Sequence, residues 1–154
     1  MAHEFDPRNV ERRHRSAVWL AEGGSRSAGL GVRRRVLLVE DNHNLRVTTT
    51  RMLEHLGYAV TAVANGTEAV EAYRGGSPPD VVMMDVVLPG MSGLEALREI
   101  RALVPAARVV LCSGSADKLE RTDGVQGADA VLAKPYDVDR LAETLERVLR
   151  RGGR

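Results

Sequence analysis

Val81-Val82-Met83-Met84-Asp85-Val86-Val87-Leu88-Pro89-Gly90-Met91-Ser92-Gly93 joins an apolar run of strand length, through one acid, to a turn rich in proline and glycine. An apolar run that shows no alternation belongs to a strand buried on both faces, as in a parallel sheet covered by helices. Four further runs have the same character: Val36–Val39, Ala59–Val63, Val109–Cys112 and Ala130–Leu132. Helix-period segments separate them. Leu45, Thr49, Met52, Leu53 and Leu56 form one stripe that closes at Gly57. Ala69, Val70 and Tyr73 follow Asn65-Gly66, and Leu94, Leu97, Ile100 and Leu103 stop before Pro105. A fourth helix is expected from the Asp117-x-x-Glu120 start signal, although Gly124 weakens its interior. A last one begins near Asp137 and buries Val138, Leu141, Leu145 and Val148. Five strands alternating with five helices make an α/β fold, a doubly wound parallel sheet with helices on both faces.

Composition agrees with a globular chain of one domain. The 154 residues are 44% hydrophobic and 28% charged, and no apolar run reaches the length of a membrane span. A single cysteine, Cys112, excludes an internal disulfide framework and points to a reducing, cytoplasmic setting without a signal peptide. The net charge of +1 is uneven: residues 1–35 carry +4 and residues 36–154 carry −3. Residues 1–33 read as a flexible basic extension, 34–151 as the folded domain and 152–154 as a tail. The extension is either an unstructured leader or a basic arm for a partner surface. Its sparse aromatic content makes a nucleic-acid role weak.

In doubly wound sheets the site lies beyond the carboxyl ends of the strands. Those ends carry Glu40-Asp41, Ala64-Asn65, Asp85, Ser113-Gly114 and Lys134-Pro135. An acid after a strand is, taken singly, most often a cap or turn residue. Turn chemistry does not require three acids, a hydroxyl and a lysine to converge. Lys134 is one of only two lysines against twenty arginines. Three clustered carboxylates need a cation among them, and hard oxygen donors suit Mg²⁺, with Mn²⁺ as a substitute. Such an ion completes its shell with phosphate oxygens, which a lysine and a hydroxyl can also hold. A P-loop string is absent, Gly29-x-Gly31 precedes the first strand, and Val87 stands where an Asp-x-Asp phosphatase needs an acid. The histidines at 3, 14, 43 and 55 all precede the central strands, so no Ser/His/Asp triad is evident. An aspartate that itself accepts a phosphoryl group remains.

Val39-Glu40-Asp41-Asn42, Met84 through Gly93, Ser113-Gly114, Gly127-Ala128-Asp129 and Leu132-Ala133-Lys134-Pro135-Tyr136 together resemble the receiver domains of two-component response regulators. The resemblance covers about Arg34 to Arg150 and implies the flavodoxin-like receiver fold with strand order 2-1-3-4-5. It implies Asp85 as phospho-acceptor, with Glu40, Asp41, Asp85 and the Val87 carbonyl holding the metal. Ser113 and Lys134 are implied to bind the phosphoryl group, and the Lys134-Pro135 bond to be cis. The implied partners are a histidine kinase or histidine phosphotransfer protein as donor, and a downstream protein read through the fourth helix, fifth strand and fifth helix. The role is that of a signalling phospho-acceptor rather than an enzyme. Only four residues follow Arg150, so a stand-alone receiver without a DNA-binding domain is expected, its oligomeric state left open. One position departs from the family pattern: Val131 stands where an aromatic switch residue is usual. That departure favours an alternative, a receiver-fold interaction module independent of phosphorylation. A metal-dependent phosphohydrolase is the more distant reading.

Overall fold

The structure, a computed structural model, describes residues 32–115 and 127–151. Among them nine elements follow in order: β1 (Arg35–Val39), α1 (His43–His55), β2 (Ala59–Val63), α2 (Gly66–Arg74), β3 (Val81–Asp85), α3 (Gly93–Leu103), β4 (Val109–Ser113), β5 (Ala130–Ala133) and α4 (Val138–Arg150). The strands pair in parallel in the order β2-β1-β3-β4-β5. The helix expected near Asp117 lies outside the described residues, so α4 is the last helix read from the sequence.

Two apolar layers flank the sheet, and alternate residues of each strand supply them. Leu37, Val39, Val82, Met84, Val109 and Leu111 face α2 and α3, packing against Ala69, Val70, Tyr73, Leu97 and Ile100. Val36, Leu38, Val81, Met83, Val110 and Cys112 face the other way, onto Leu53, Leu141, Leu145 and Val148. This double burial explains why β1, β3 and β4 read as continuous apolar runs, while the edge strands β2, which carries Thr61, and β5 are only partly buried. The helices begin where the sequence supplies caps. Asn42, Asn65, Ser92 and Asp137 each accept a backbone N–H through the side chain, and Ser92 with Glu95 completes a reciprocal capping box.

Strands β1, β3, β4 and β5 each extend one residue beyond the apolar runs, and at β3 and β4 the extra residues are Asp85 and Ser113. The ladder continues past the hydrophobic stretch because Val86 N–H donates to Cys112 O at 3.0 Å and Lys134 N–H to Ser113 O at 2.9 Å. Several expected core positions are less buried than the periodicity implied: Leu45 and Leu103, in the first and last turns of their helices, are exposed, and Met52, Leu56, Leu94 and Val138 are half-buried.

Candidate functional site

β1 and β3 are neighbours at the centre of the sheet, so their carboxyl ends deliver Glu40-Asp41 and Asp85 to one crevice. Carboxylate oxygens of Glu40, Asp41 and Asp85 lie within 4.8 Å of one another. Glu40 is buried, Asp85 half-buried and Asp41 exposed. Lys134 enters from the end of β5, and its Nζ donates to Glu40 Oε2 at 2.7 Å and to Asp85 Oδ2 at 2.6 Å. The peptide bond after it, Lys134-Pro135, is cis.

The second carboxylate oxygens of Glu40 and Asp85 also accept a backbone amide each. Asn42 N–H donates to Glu40 Oε1 at 3.2 Å and Val87 N–H to Asp85 Oδ1 at 3.0 Å. Ser113 is buried beside the acids, and its hydroxyl accepts the Ser115 N–H at 2.9 Å rather than reaching the cluster. Val87, two residues past Asp85, has an exposed side chain. All five polar side chains singled out from the sequence thus sit at one end of the sheet: the three acids cluster, Lys134 bonds to two of them, and Ser113 is one strand away.

Local charge decides what this crevice can hold. Burial pulls the Lys134 pKa down, but the hydrogen bonds it donates to Asp85 and Glu40, with their charges, more than offset it and leave the ammonium above its ordinary value. Three carboxylates against one ammonium leave two negative charges, the complement of a divalent cation. Burial pushes the Cys112 thiol up to about 12, so it stays neutral and offers no thiolate. His43 Nδ1 sits 3.2 Å from Arg46 Nη2. The donors are therefore hard oxygens, and they fit Mg²⁺ rather than zinc.

Arg46 was not singled out from the sequence, and Thr49, Tyr136 and Gly93 were quoted there without the contacts they make. Arg46 Nη1 donates to the carbonyls of Glu40, at 2.9 Å, and of Asp41, at 3.2 Å. Its place in the helix opened by the Asn42 cap is the signal that could have exposed it. Thr49 Oγ1 and Tyr136 Oη share a hydrogen bond at 3.2 Å that ties α1 to the segment after Lys134. Gly93 packs so closely under β3 that a Cβ there would collide with the Asp85 carbonyl oxygen and lie 2.9 Å from Val86 Cα.

A match to the family model for the response regulator receiver domain spans residues 36–146. The chain belongs to the response regulator receiver family. It is 37% identical over 117 residues to chemotaxis protein CheY of Bacillus subtilis (strain 168), a span of 75% of this chain and 97% of that protein. Transcriptional regulatory protein CseB of Streptomyces coelicolor is 39% identical over 121 residues, 77% of this chain and 50% of CseB. The chain thus spans about half the length of that relative. The receiver domain of sensor histidine kinase PA1611 from Pseudomonas aeruginosa PAO1, whose active site cleft coordinates a magnesium ion, superposes with a TM-score of 0.72 at 33% identity over 77% of this chain and 99% of that one. Response regulator TrrA from Thermotoga maritima, in complex with Mg²⁺ and BeF, gives 0.70 at 30% identity over 75% and 98%.

The receiver identity makes this a signalling module of two-component systems rather than an enzyme acting on outside substrates. A histidine kinase or phosphotransfer protein is the class of partner such a domain implies. Among the described residues no helix is long and apolar enough to cross a membrane.

Proposed function

We propose that residues 34–151 form a phospho-accepting receiver that takes a phosphoryl group from a histidine kinase or histidine phosphotransfer protein onto Asp85, in the cytoplasm, and signals by phosphorylation-dependent protein binding or onward relay. The observation that carries this reading is Lys134 Nζ held between Glu40 Oε2 and Asp85 Oδ2 at 2.7 and 2.6 Å beside the exposed Asp41. Glu40, Asp41, Asp85 and the Val87 carbonyl would hold Mg²⁺, which when bound neutralises charge on the transferring phosphoryl oxygens.

The residues of the chain do the rest. The Val87 N–H and the Lys134 ammonium fix the Asp85 carboxylate in one orientation before any donor arrives. One carboxylate oxygen of Asp85 attacks phosphorus; the new O–P bond forms as the N–P bond to the donor imidazole breaks, and the imidazole leaves with that electron pair. Lys134 stays cationic throughout, because its pKa is raised, and it passes from Asp85 Oδ2 to a phosphoryl oxygen while keeping Glu40. The Ser113 hydroxyl turns from the Ser115 amide and donates to another phosphoryl oxygen. That exchange pulls on the end of β4 and biases the surface around β5 and α4. With Val131 in place of an aromatic side chain, the readout runs through movement of these elements themselves.

Incubation with acetyl phosphate and Mg²⁺, followed by intact mass, tests the proposal. The expected result is a gain of one phosphoryl group that is lost in Asp85→Asn and in chelator. Full uptake by Asp85→Asn refutes the acceptor assignment. Val131 also favours the second reading, an interaction module indifferent to phosphorylation; equal partner affinity for the free and beryllofluoride-treated protein would support it.

A further inference from the structure

We propose that Arg46 is a positioning residue for the divalent-cation site, holding the turn between β1 and α1 so that Asp41 faces the crevice. The inference rests on the reading that Glu40 and Asp41 ligate the cation. The two acids are held very differently. Glu40 is buried, and its side chain accepts both the Asn42 N–H and the Lys134 ammonium. Asp41 is exposed, and among the described residues no side chain or amide bonds to its carboxylate. Its direction therefore depends on the backbone that carries it. The Glu40 N–H still reaches Val63 O at 3.1 Å, and from there the turn is held on its carbonyl side by Arg46, whose Nη1 donates to Glu40 O at 2.9 Å and to Asp41 O at 3.2 Å.

Arg46 itself is anchored on both sides. Its N–H makes the first helical bond to Asn42 O at 2.9 Å, its carbonyl accepts the Thr50 hydroxyl at 2.7 Å, and Nη2 meets His43 Nδ1. Among the described residues the guanidinium forms no ion pair; Nη1 serves two neutral carbonyls instead. A positive charge beside a cation site weakens cation binding by simple repulsion. Placement of an arginine there is accounted for by the planar guanidinium, which seats Nη1 on both carbonyls while Nη2 rests against His43 Nδ1; a lysine offers a single nitrogen in place of these two.

The two roles predict opposite signs. Mg²⁺ is titrated into full-length protein at low salt, following the backbone amide resonances of Asn42 and Val87, for wild type, Arg46→Lys, Arg46→Met and Asp41→Asn. Positioning predicts that Arg46→Lys and Arg46→Met both raise the Mg²⁺ Kd about tenfold or more, the usual cost of removing a partner that orients metal ligands. Repulsion alone predicts tighter binding by Arg46→Met and no change in Arg46→Lys. Binding by Arg46→Lys within twofold of wild type, or tighter binding by Arg46→Met, overturns the proposal. If Arg46→Met fails to fold, Arg46→Lys decides. Wild-type affinity in Asp41→Asn would refute the ligand reading and the role of Arg46 with it, whereas weakened Asp41→Asn beside unchanged Arg46→Lys refutes Arg46 alone.

Discussion

Replacing Lys134 with methionine removes the one ammonium from the crevice while keeping an unbranched side chain of similar length. Lys134 Nζ lies 2.7 Å from Glu40 Oε2 and 2.6 Å from Asp85 Oδ2. Without it, carboxylates within 4.8 Å of one another face each other uncompensated, a repulsion of roughly 3–4 kcal/mol per pair at an effective dielectric constant near 20. Removing one partner of a buried pair costs about 3–5 kcal/mol. The side chains of Lys134 and Asp85 keep 20% and 13% of their surface exposed, so screening lowers the expected loss to about 2–3 kcal/mol. For a domain of this size that is a fall of roughly 8–12 °C in the thermal midpoint. The Lys134 pKa is raised by folding, so its contribution is complete below the unfolded value and is lost only as pH rises through the folded one. A measurement at pH 7 therefore reads it in full. Circular dichroism melts in EDTA should show the loss, and adding Mg²⁺ should raise the Lys134→Met midpoint more than that of wild type, since the variant crevice is one charge more negative. An unchanged midpoint in EDTA, or a larger Mg²⁺ effect on wild type, refutes this account of the charge balance.

Further expectations follow from other contacts. Gly93→Ala forces a methyl against the Asp85–Val86 backbone; overpacking outweighs the gain in helix propensity, for a net loss of about 1–2 kcal/mol. A urea midpoint equal to wild type would contradict that. Cys112, pushed from 9.0 up to about 12, keeps the fold fully stable below pH 9 and withdraws stability as pH rises toward 12. Wild type should lose about 2 kcal/mol from this group between pH 8 and 10.5, and Cys112→Ala should show a shallower decline. Equal slopes exclude the thiol as the cause. Thr49→Val and Tyr136→Phe each remove the bond at 3.2 Å and should cost about 1 kcal/mol, with the double variant no worse than the weaker single one. Strict additivity would show that the hydroxyls are not coupled.

The inner strands were legible because both faces of each are buried, leaving unbroken apolar runs such as Val81–Met84. The polar residues just past those runs were legible as a site because parallel strands all point the same way, so the carboxyl ends meet. What the sequence conceals is reach. Lys134 bridges acids 94 and 49 residues away, and nothing local to it specifies which acid it takes. Arg46 reads as one more helix-surface cation in a chain with twenty arginines; only the backward fold of its side chain onto two carbonyls sets it apart. Leu45 shows the opposite failure. It keeps the helical period, yet it sits in the first turn of α1 and is 47% exposed.

The central claim, that Asp85 accepts the phosphoryl group, is tested most directly by locating the group chemically. Borohydride reduces an aspartyl phosphate to homoserine, so protein treated with acetyl phosphate and Mg²⁺, then borohydride, and digested should carry homoserine at position 85 and nowhere else. Homoserine at Asp41, phosphate retained on Ser113, or modification at position 85 that persists in EDTA would contradict the account.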